Sequence, residues 1–260
     1  MEECPENFYK YRSLDGSSLA FVERIICHDE IWFPAPSTFN DPFDCHPTFD
    51  LEATVDEVAP VYARVLGRKN SVWTDQQCLD TAKDLAANSV QSQASQEARD
   101  TIQQSHVEVI KNQIGVLCLS TNPNSSLMWA HYADSHRGIC LRFDGYFPFF
   151  AEAQKVNYPL HRRRINPFRD TLAENMETAL LNKCEDWKYE EEWRIVNYQN
   201  GPGTYHFPTE SLTGIIFGAR IPPNHESSIR QWATGRNSPL QFFRARPSVD
   251  TYEIHIEQAD

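Results

Sequence analysis

Three short stretches carry residue types that could act together from strand ends. Arg12 closes the alternating segment NFYKYR, Ser120 and Thr121 end the apolar run GVLCLST, and Glu190 and Glu192 open EEEWRIVNY. Two residues apart on a strand means one shared face, so Glu190, Glu192 and Arg194 are expected to project together. The same rule puts Lys10 and Arg12 on one face and Tyr9 and Tyr11 on the other. A fixed carboxylate favours positive charge developing nearby. A guanidinium fork suits phosphate or ribose oxygens, and a strand-end serine can orient its neighbours. The plain alternative is an acidic strand edge of Glu190, Glu191 and Glu192, with Arg12 in a surface ion pair.

Other stretches offer supporting chemistry. FNDPFD places Asn40, Asp41 and Asp44 around a proline turn. Short polar side chains there satisfy backbone amides in an Asx-turn, and the loop could equally border a pocket. In LMWAHYADSHRGICLRF, His131 and His136 flank Asp134. A His/Asp/His metal site is conceivable, but the spacing is not a zinc pattern and no cysteine completes it. Trp129 and Tyr132 suit an aromatic pocket wall, and His136 falls where a donor meets the last helix carbonyls. In KCEDWKYEEEWR, Lys183 and Arg194 can pair with the glutamates. HRRR at 161–164 is the one basic run, read as a solvated loop or as a contact for phosphate or an acidic target.

The elements that must position these groups alternate between strand and helix patterns. Strands are expected at 7–12, 31–33, 115–121, 138–144, 156–159, 190–198 and 212–221, with two more closing the chain in LQFFRAR and YEIHIE. Helices are expected in LAFVERIICH, in the segment MWAHYAD behind its Asn and Ser caps, over 166–184, and in NHESSIRQWATG. Residues 55–113 differ: apolar residues recur every three or four places opposite a Gln/Ser/Asp-rich face. They read as a shorter helix near 55–66 and a long, interrupted one over 75–113. The fold class is therefore α+β, one domain over 1–260, with a peripheral helical insertion at about 55–113.

Composition sets the outer bounds. The chain has 260 residues, 40% of them apolar, with 15 Phe, 10 Tyr and 6 Trp. This is enough for a core and excludes disordered, coiled-coil and collagen-like classes. No apolar run approaches the ~18 residues of a membrane span. The start, MEECPENFYKYR, lacks the basic and apolar regions of a signal peptide. The net charge of −12 argues against sequence-independent nucleic-acid binding, while leaving room for a local basic site. Seven cysteines, an odd number with no C-x-x-C pair, are read as reduced, mostly buried thiols in a cytoplasmic protein. Cys118 and Cys140 are the two set in apolar runs.

YKYRSL, FNDPFDC, CLSTNPNSSLMWAHYADSHRGICLRFD, the stretch from Lys183 to Val196, and IIFGARIP together resemble a bacterial domain-of-unknown-function family, number 2971. The order of elements further resembles the mono-ADP-ribosyltransferase superfamily. That superfamily carries a first-strand Arg, a Ser-Thr-Ser strand followed by a short helix and a strand, and finally a Glu-x-Glu strand; here Asn122 stands in the third place of the serine motif. The second resemblance implies an NAD-consuming enzyme, a toxin or an anti-phage factor, with NAD as substrate. Arg12 would then hold NAD, Ser120 would orient, Glu192 would be the catalytic carboxylate and Glu190 would contact the acceptor. Asn40, Trp129, His131 and Tyr132 would form the pocket wall. Glu192 is expected at the cleft edge, adding little to folding. If Glu190 faces no acceptor, NAD hydrolysis is as good a reading as transfer.

Two other functions compete. A metal-dependent nuclease or hydrolase would bring Asp41, Asp44, His131 and His136 within about 5 Å of one another. A non-catalytic interaction module would leave Glu192 unpaired on an open surface, with no pocket.

Overall fold

The computed structural model describes residues 3–92 and 96–259; residues 93–95, inside the expected long helix, lie outside that range. The chain runs β1 (Asn7–Arg12), α1 (Ser18–His28), β2 (Glu30–Phe33), β3 (Thr48–Phe49), then helices α2 (Val55–Lys69), α3 (Asp75–Ser92) and α4 (Gln96–Gln113). Next come β4 (Gly115–Ser120), α5 (Ser126–Tyr132), β5 (Ile139–Asp144), α6 (Pro148–Ala151), β6 (Gln154–Lys155), β7 (Arg164–Ile165) and α7 (Leu172–Leu180). The last elements are β8 (Glu192–Asn197), β9 (Gly203–His206), β10 (Leu212–Phe217), α8 (Pro223–Thr234), β11 (Gln241–Pro247) and β12 (Ile254–Gln258). The protein is a mixed α+β structure built on an eight-stranded sheet in the order β12-β11-β10-β5-β1-β4-β8-β6. Within this sheet β10 and β11, joined through α8, run parallel, and the other neighbours are antiparallel.

The five strands expected at 7–12, 115–121, 138–144, 190–198 and 212–221 are consecutive in this sheet. Alternation divides their side chains between two cores. Phe8, Leu117, Leu141, Phe143, Ile195, Ile215 and Phe217 pack with Val22, Ile25 and Ile26 of α1 and Ile229 of α8. Each such fully buried side chain contributes about 1.5–3 kcal/mol relative to exposure. Tyr11, Cys140, Ile216, Ala245 and Ile254 pack instead with Met128 and Trp129 of α5. A further cluster joins Ile110 and Ile114, at the end of the helical block, to Val116, Ile165 and Leu180. The block is thus anchored at its C-terminal end by core packing, while Val58, Ala59 and Ala86 form a small core of their own.

The sheet opens at one place. β1 is paired with β5 along all six residues, but it meets β4 at a single position, Tyr9 opposite Ser120. Gly138 holds the far end of β1: a Cβ there would lie 2.1 Å from the Arg12 carbonyl oxygen. Only glycine lets the two backbones approach this closely.

Several expected boundaries shift for local reasons. The strand expected at 156–159 lies at Gln154–Lys155 instead, paired with Arg194 and Trp193 of β8; downstream, the Tyr158 hydroxyl accepts from the Glu192 N–H (2.9 Å). The helix expected over 166–184 begins at Leu172, behind a Thr171–Glu174 capping box; Asn166 upstream accepts from the amides of Phe168 and Arg169. The strand expected at 190–198 opens at Glu192 and not at Glu190, because Glu185–Glu190 form a 3-10 helix. The short strands β3, β7 and β9 had no sequence signal long enough to show a period. All seven cysteines are unbridged; Cys140 is buried and Cys118 only partly so. Among the described residues, no helix is long and apolar enough to cross a membrane.

Candidate functional site

The opening between β1 and β4 is a cleft of about 450 Å³. Its lining includes Lys10 and Arg12 from β1, Cys118 and Ser120 from β4, Asn40 and Asp44 from the turn after β2, His131 and Tyr132 from α5, and Lys183, Glu190 and Glu192. The expected Arg12, Ser120 and Glu-x-Glu groups therefore share one cavity, although they lie far apart in the chain.

Glu190 and Glu192 do face the same way, but not through uninterrupted alternation. Glu191 between them adopts a left-handed conformation (φ 45°), which a non-glycine residue takes only at a cost. Its carboxylate is tied down by Thr121 Oγ1 (3.1 Å) and Asn122 Nδ2 (3.0 Å). The turn brings both flanking glutamates inward, to 3% and 4% exposure respectively. They do not form an exposed strand edge, and Glu192 is not the solvent-facing carboxylate expected from the sequence.

Buried carboxylates need partners, and here they share two cations. Arg194, fully buried, donates Nε to Glu192 Oε1 (2.8 Å) and Nη2 to both Glu192 Oε2 (2.9 Å) and Asp44 Oδ2 (2.8 Å). Its Nη1 reaches the Leu180 carbonyl (2.7 Å). Lys183 Nζ is ion-paired with Glu190, with Glu192 (3.1 Å) and with Asp44 (3.6 Å). Burial opposes ionisation of Glu192, but Arg194 and Lys183 outweigh it and hold the carboxyl well below the usual range. Glu190 goes the other way: burial raises it more than Lys183 lowers it, and Glu192 adds to the rise. Its Oε1 accepts from the Tyr132 hydroxyl (2.6 Å). Ser120 Oγ donates to the Glu190 carbonyl (2.6 Å) and accepts from the Asn122 N–H (3.0 Å), so its hydroxyl sets the backbone that carries Glu190.

The β1 wall is unlike this floor. Arg12 forms no ion pair among the described residues, and its buried Nε has no hydrogen-bond partner. Burial lowers its pKa to about 10, which leaves it cationic at neutral pH. Lys10 donates to the Cys118 carbonyl (2.8 Å), left free where β1 parts from β4. Burial, then the neighbouring Arg12, lower its pKa to about 8. Neither the ammonium nor the guanidinium has an ion-pair partner among the described residues, and the pull of Glu192 on Lys10 only partly offsets its burial.

The remaining expected residues divide. Asn40 Nδ2 reaches the Tyr132 hydroxyl (3.5 Å), and both line the cleft, as does His131. His131 stands in a loose aromatic group with Tyr132, Trp187 and Tyr189. Trp129 is not a wall residue. It is fully buried, donates Nε1 to the Pro123 carbonyl (2.9 Å) and packs edge-on against Tyr11, because it lies on the face of α5 that meets the sheet. Asp41 Oδ1 accepts from the Phe43 N–H (2.9 Å), as an Asx-turn requires.

Asp41, Asp44, His131 and His136 do not assemble a metal site. Asp44 is spent on Arg194 and Lys183, His136 stacks on Trp129, and among the described residues no group of three His, Cys, Asp or Glu could hold a metal ion. Nor is Glu192 unpaired on an open surface, as an interaction module would have it. Sequence reasoning did not single out Lys10 as a site residue; its signal was its shared parity with Arg12 on β1.

These features define an α+β protein with a charged cleft at a sheet opening, carboxylates on one side and unpaired cations on the other. Residues 128–195, which span most of α5 to the middle of β8, match the model of the family described as protein of unknown function (DUF2971). No curated protein and no solved structure matches the chain.

Proposed function

We propose that the cleft binds NAD and that the protein is an ADP-ribosyltransferase-like enzyme with the corresponding fold, acting as a transferase or an NAD glycohydrolase. The observation that carries this reading is the gathering of Arg12, Ser120, Glu190 and Glu192 around one cavity. The volume is of the size that small-molecule sites occupy. In the sheet, the Arg12, Ser120 and Glu192 strands are neighbours, and the short helix α5 and the strand β5 follow the serine strand in the expected order.

The chemistry follows from the charges. Arg12 and Lys10 suit the pyrophosphate, since desolvated cations without an ion-pair partner gain most from an anion. The C–N bond between ribose and nicotinamide breaks with its electron pair going to the pyridinium nitrogen. Neutral nicotinamide leaves, and an oxocarbenium-like ribose remains, as in glycoside hydrolysis. Glu192, held ionised by two cations, supplies fixed negative charge beside that centre. Glu190, whose carboxyl is easier to protonate, takes the proton from the attacking acceptor or water. Two adjacent carboxyls driven apart in pKa are what such a division of labour requires. A toxin or anti-phage factor is the setting we propose.

The test is nicotinamide release by wild type, Glu192→Gln, Glu190→Gln and Arg12→Ala, each with a melting curve. Loss of one positioned electrostatic group lowers the rate about 10²–10³-fold, expected for Glu192→Gln. Glu190→Gln should reduce transfer more than hydrolysis. Arg12→Ala should raise the NAD requirement, because its contact is made in the ground state. Glu192→Gln also weakens the buried ion cluster, so Arg12→Ala, outside that cluster, tests the cleft in a folded protein. Absence of NAD binding by wild type at millimolar concentration overturns the reading. Equal release by wild type and folded Glu192→Gln removes Glu192 from the mechanism.

A further inference from the structure

A second cavity, of about 260 Å³, lies behind the ion cluster, and Lys183 forms part of the walls of both. It absorbs the basic run singled out in the sequence: Arg162 and Arg163 line it, together with His46 and, at the rim, Phe43 and Leu160. No aspartate or glutamate lines it, although acidic residues outnumber basic ones 36 to 24 in the chain. Arg162 donates to the His46 carbonyl and lies 5.5 Å over the Phe43 ring. Neither Arg162 nor Arg163 forms an ion pair within 4 Å among the described residues. The imidazole of His46 is pushed toward its neutral form by burial, then by Lys111 and Arg162, a sign of locally positive surroundings.

The rim is apolar and open. Phe43 is 62% and Leu160 79% exposed, beside Pro47 and Pro159. A cavity flanked by exposed arginines, with exposed apolar groups at its mouth, matches a ligand with an anionic head and an apolar or planar body. Guanidinium donors bind the oxygens of such a head in pairs, and an aromatic ring at the rim receives the body.

We propose that this second cavity binds the phosphate group of a small phosphate monoester through Arg162 and Arg163, with Phe43 packing against the ester's organic part. The site does not depend on what the first cleft does. The chain Asp44–Cys45–His46 passes from the ion cluster to the second cavity, so an occupant lies one side chain away from the floor of the first.

The probes are inorganic phosphate and phenyl phosphate, titrated calorimetrically into the full chain at constant ionic strength. Phenyl phosphate is expected to bind more tightly than inorganic phosphate. Arg162→Ala/Arg163→Ala should weaken both by about tenfold or more, the scale of lost charge-assisted hydrogen bonds. Phe43→Ala should bring phenyl phosphate down to the level of inorganic phosphate measured on the same variant. These residues are exposed or half-buried, so the variants should fold, which a melting curve checks. Absence of binding overturns the proposal. So does binding that survives the double arginine variant, and so does binding that is lost in Arg12→Ala, which would place the anion in the first cleft. Failure of wild type to bind NAD leaves this experiment unaffected.

Discussion

The floor and the wall of the cleft are both charged, the floor buried and the wall half-buried, and they differ in how their charges are matched. On the floor, Asp44, Glu190 and Glu192 are matched by Lys183 and Arg194 within hydrogen-bond or ion-pair distance. On the β1 wall, Arg12 has an orphaned Nε, and Lys10 has only a backbone carbonyl. A matched buried cluster holds geometry, because removing any member strands its partners. A cation without an ion-pair partner gains little in folding to offset its desolvation, which is why the proposed reading assigns it to an anionic ligand. The comparison separates residues that hold the geometry of the site from residues that, on the proposed reading, meet the ligand.

The largest effect should come from breaking the floor. Arg194→Met leaves Asp44 and Glu192 to share Lys183 and is expected to cost about 3–5 kcal/mol, measured by urea unfolding at neutral pH. A loss below about 1 kcal/mol would show that the cluster holds little of the fold. The wall should respond in the opposite sense. Arg12→Met removes a desolvated charge that has no ion-pair partner, so stability should stay within about 0.5 kcal/mol or rise. Affinity for NAD should fall about 10–100-fold, the scale of one charged hydrogen bond. Destabilisation by several kcal/mol would mean that Arg12 has a structural partner and would erase the contrast.

The smallest effect sharpens the comparison by pH. The pKa of Lys10 is lowered to about 8 from an ordinary value of 10.5. Between these values the unfolded chain holds a proton that the folded chain has released, so this residue makes stability rise with pH in that window. Ligand affinity moves oppositely: raising the pH through about 8 discharges the ammonium and should weaken binding of an anion severalfold. Titrations with NAD or pyrophosphate at pH 7 and pH 9 measure this. Lys10→Gln should flatten the dependence, and an unchanged slope in that variant would assign it elsewhere.

Both resolved corrections to the site trace to packing. Alternation put Glu190 and Glu192 on one side, and they are on one side, but through a left-handed Glu191 held by Thr121 and Asn122. A period of two carries no information about a backbone turn stabilised from another strand. Trp129 looked like a wall because aromatics next to polar residues often line pockets. Its environment is decided by which face of α5 meets Tyr11, and a seven-residue helix shows too little periodicity to orient itself.

What the sequence determined by itself was local. Alternation and apolar runs marked the five central strands, apolar spacing marked α1 and the helical block, and the serine caps ahead of MWAHYAD marked a helix start by the hydrogen bonds short polar side chains make within three residues. These signals survive because their physics operates over a turn or a strand pair. Tertiary structure alone decided the charge pattern of the cleft. Asp44 and Arg194 meet across 150 residues, Lys183 joins them from a third segment, and β1 parts from β4 just where Lys10 and Arg12 need room. Whether a carboxylate is exposed, matched or raised in pKa depends on how much water its neighbours exclude and which charges they bring. Those neighbours are chosen by the folding of distant segments, on which the spacing of residues along the chain is silent.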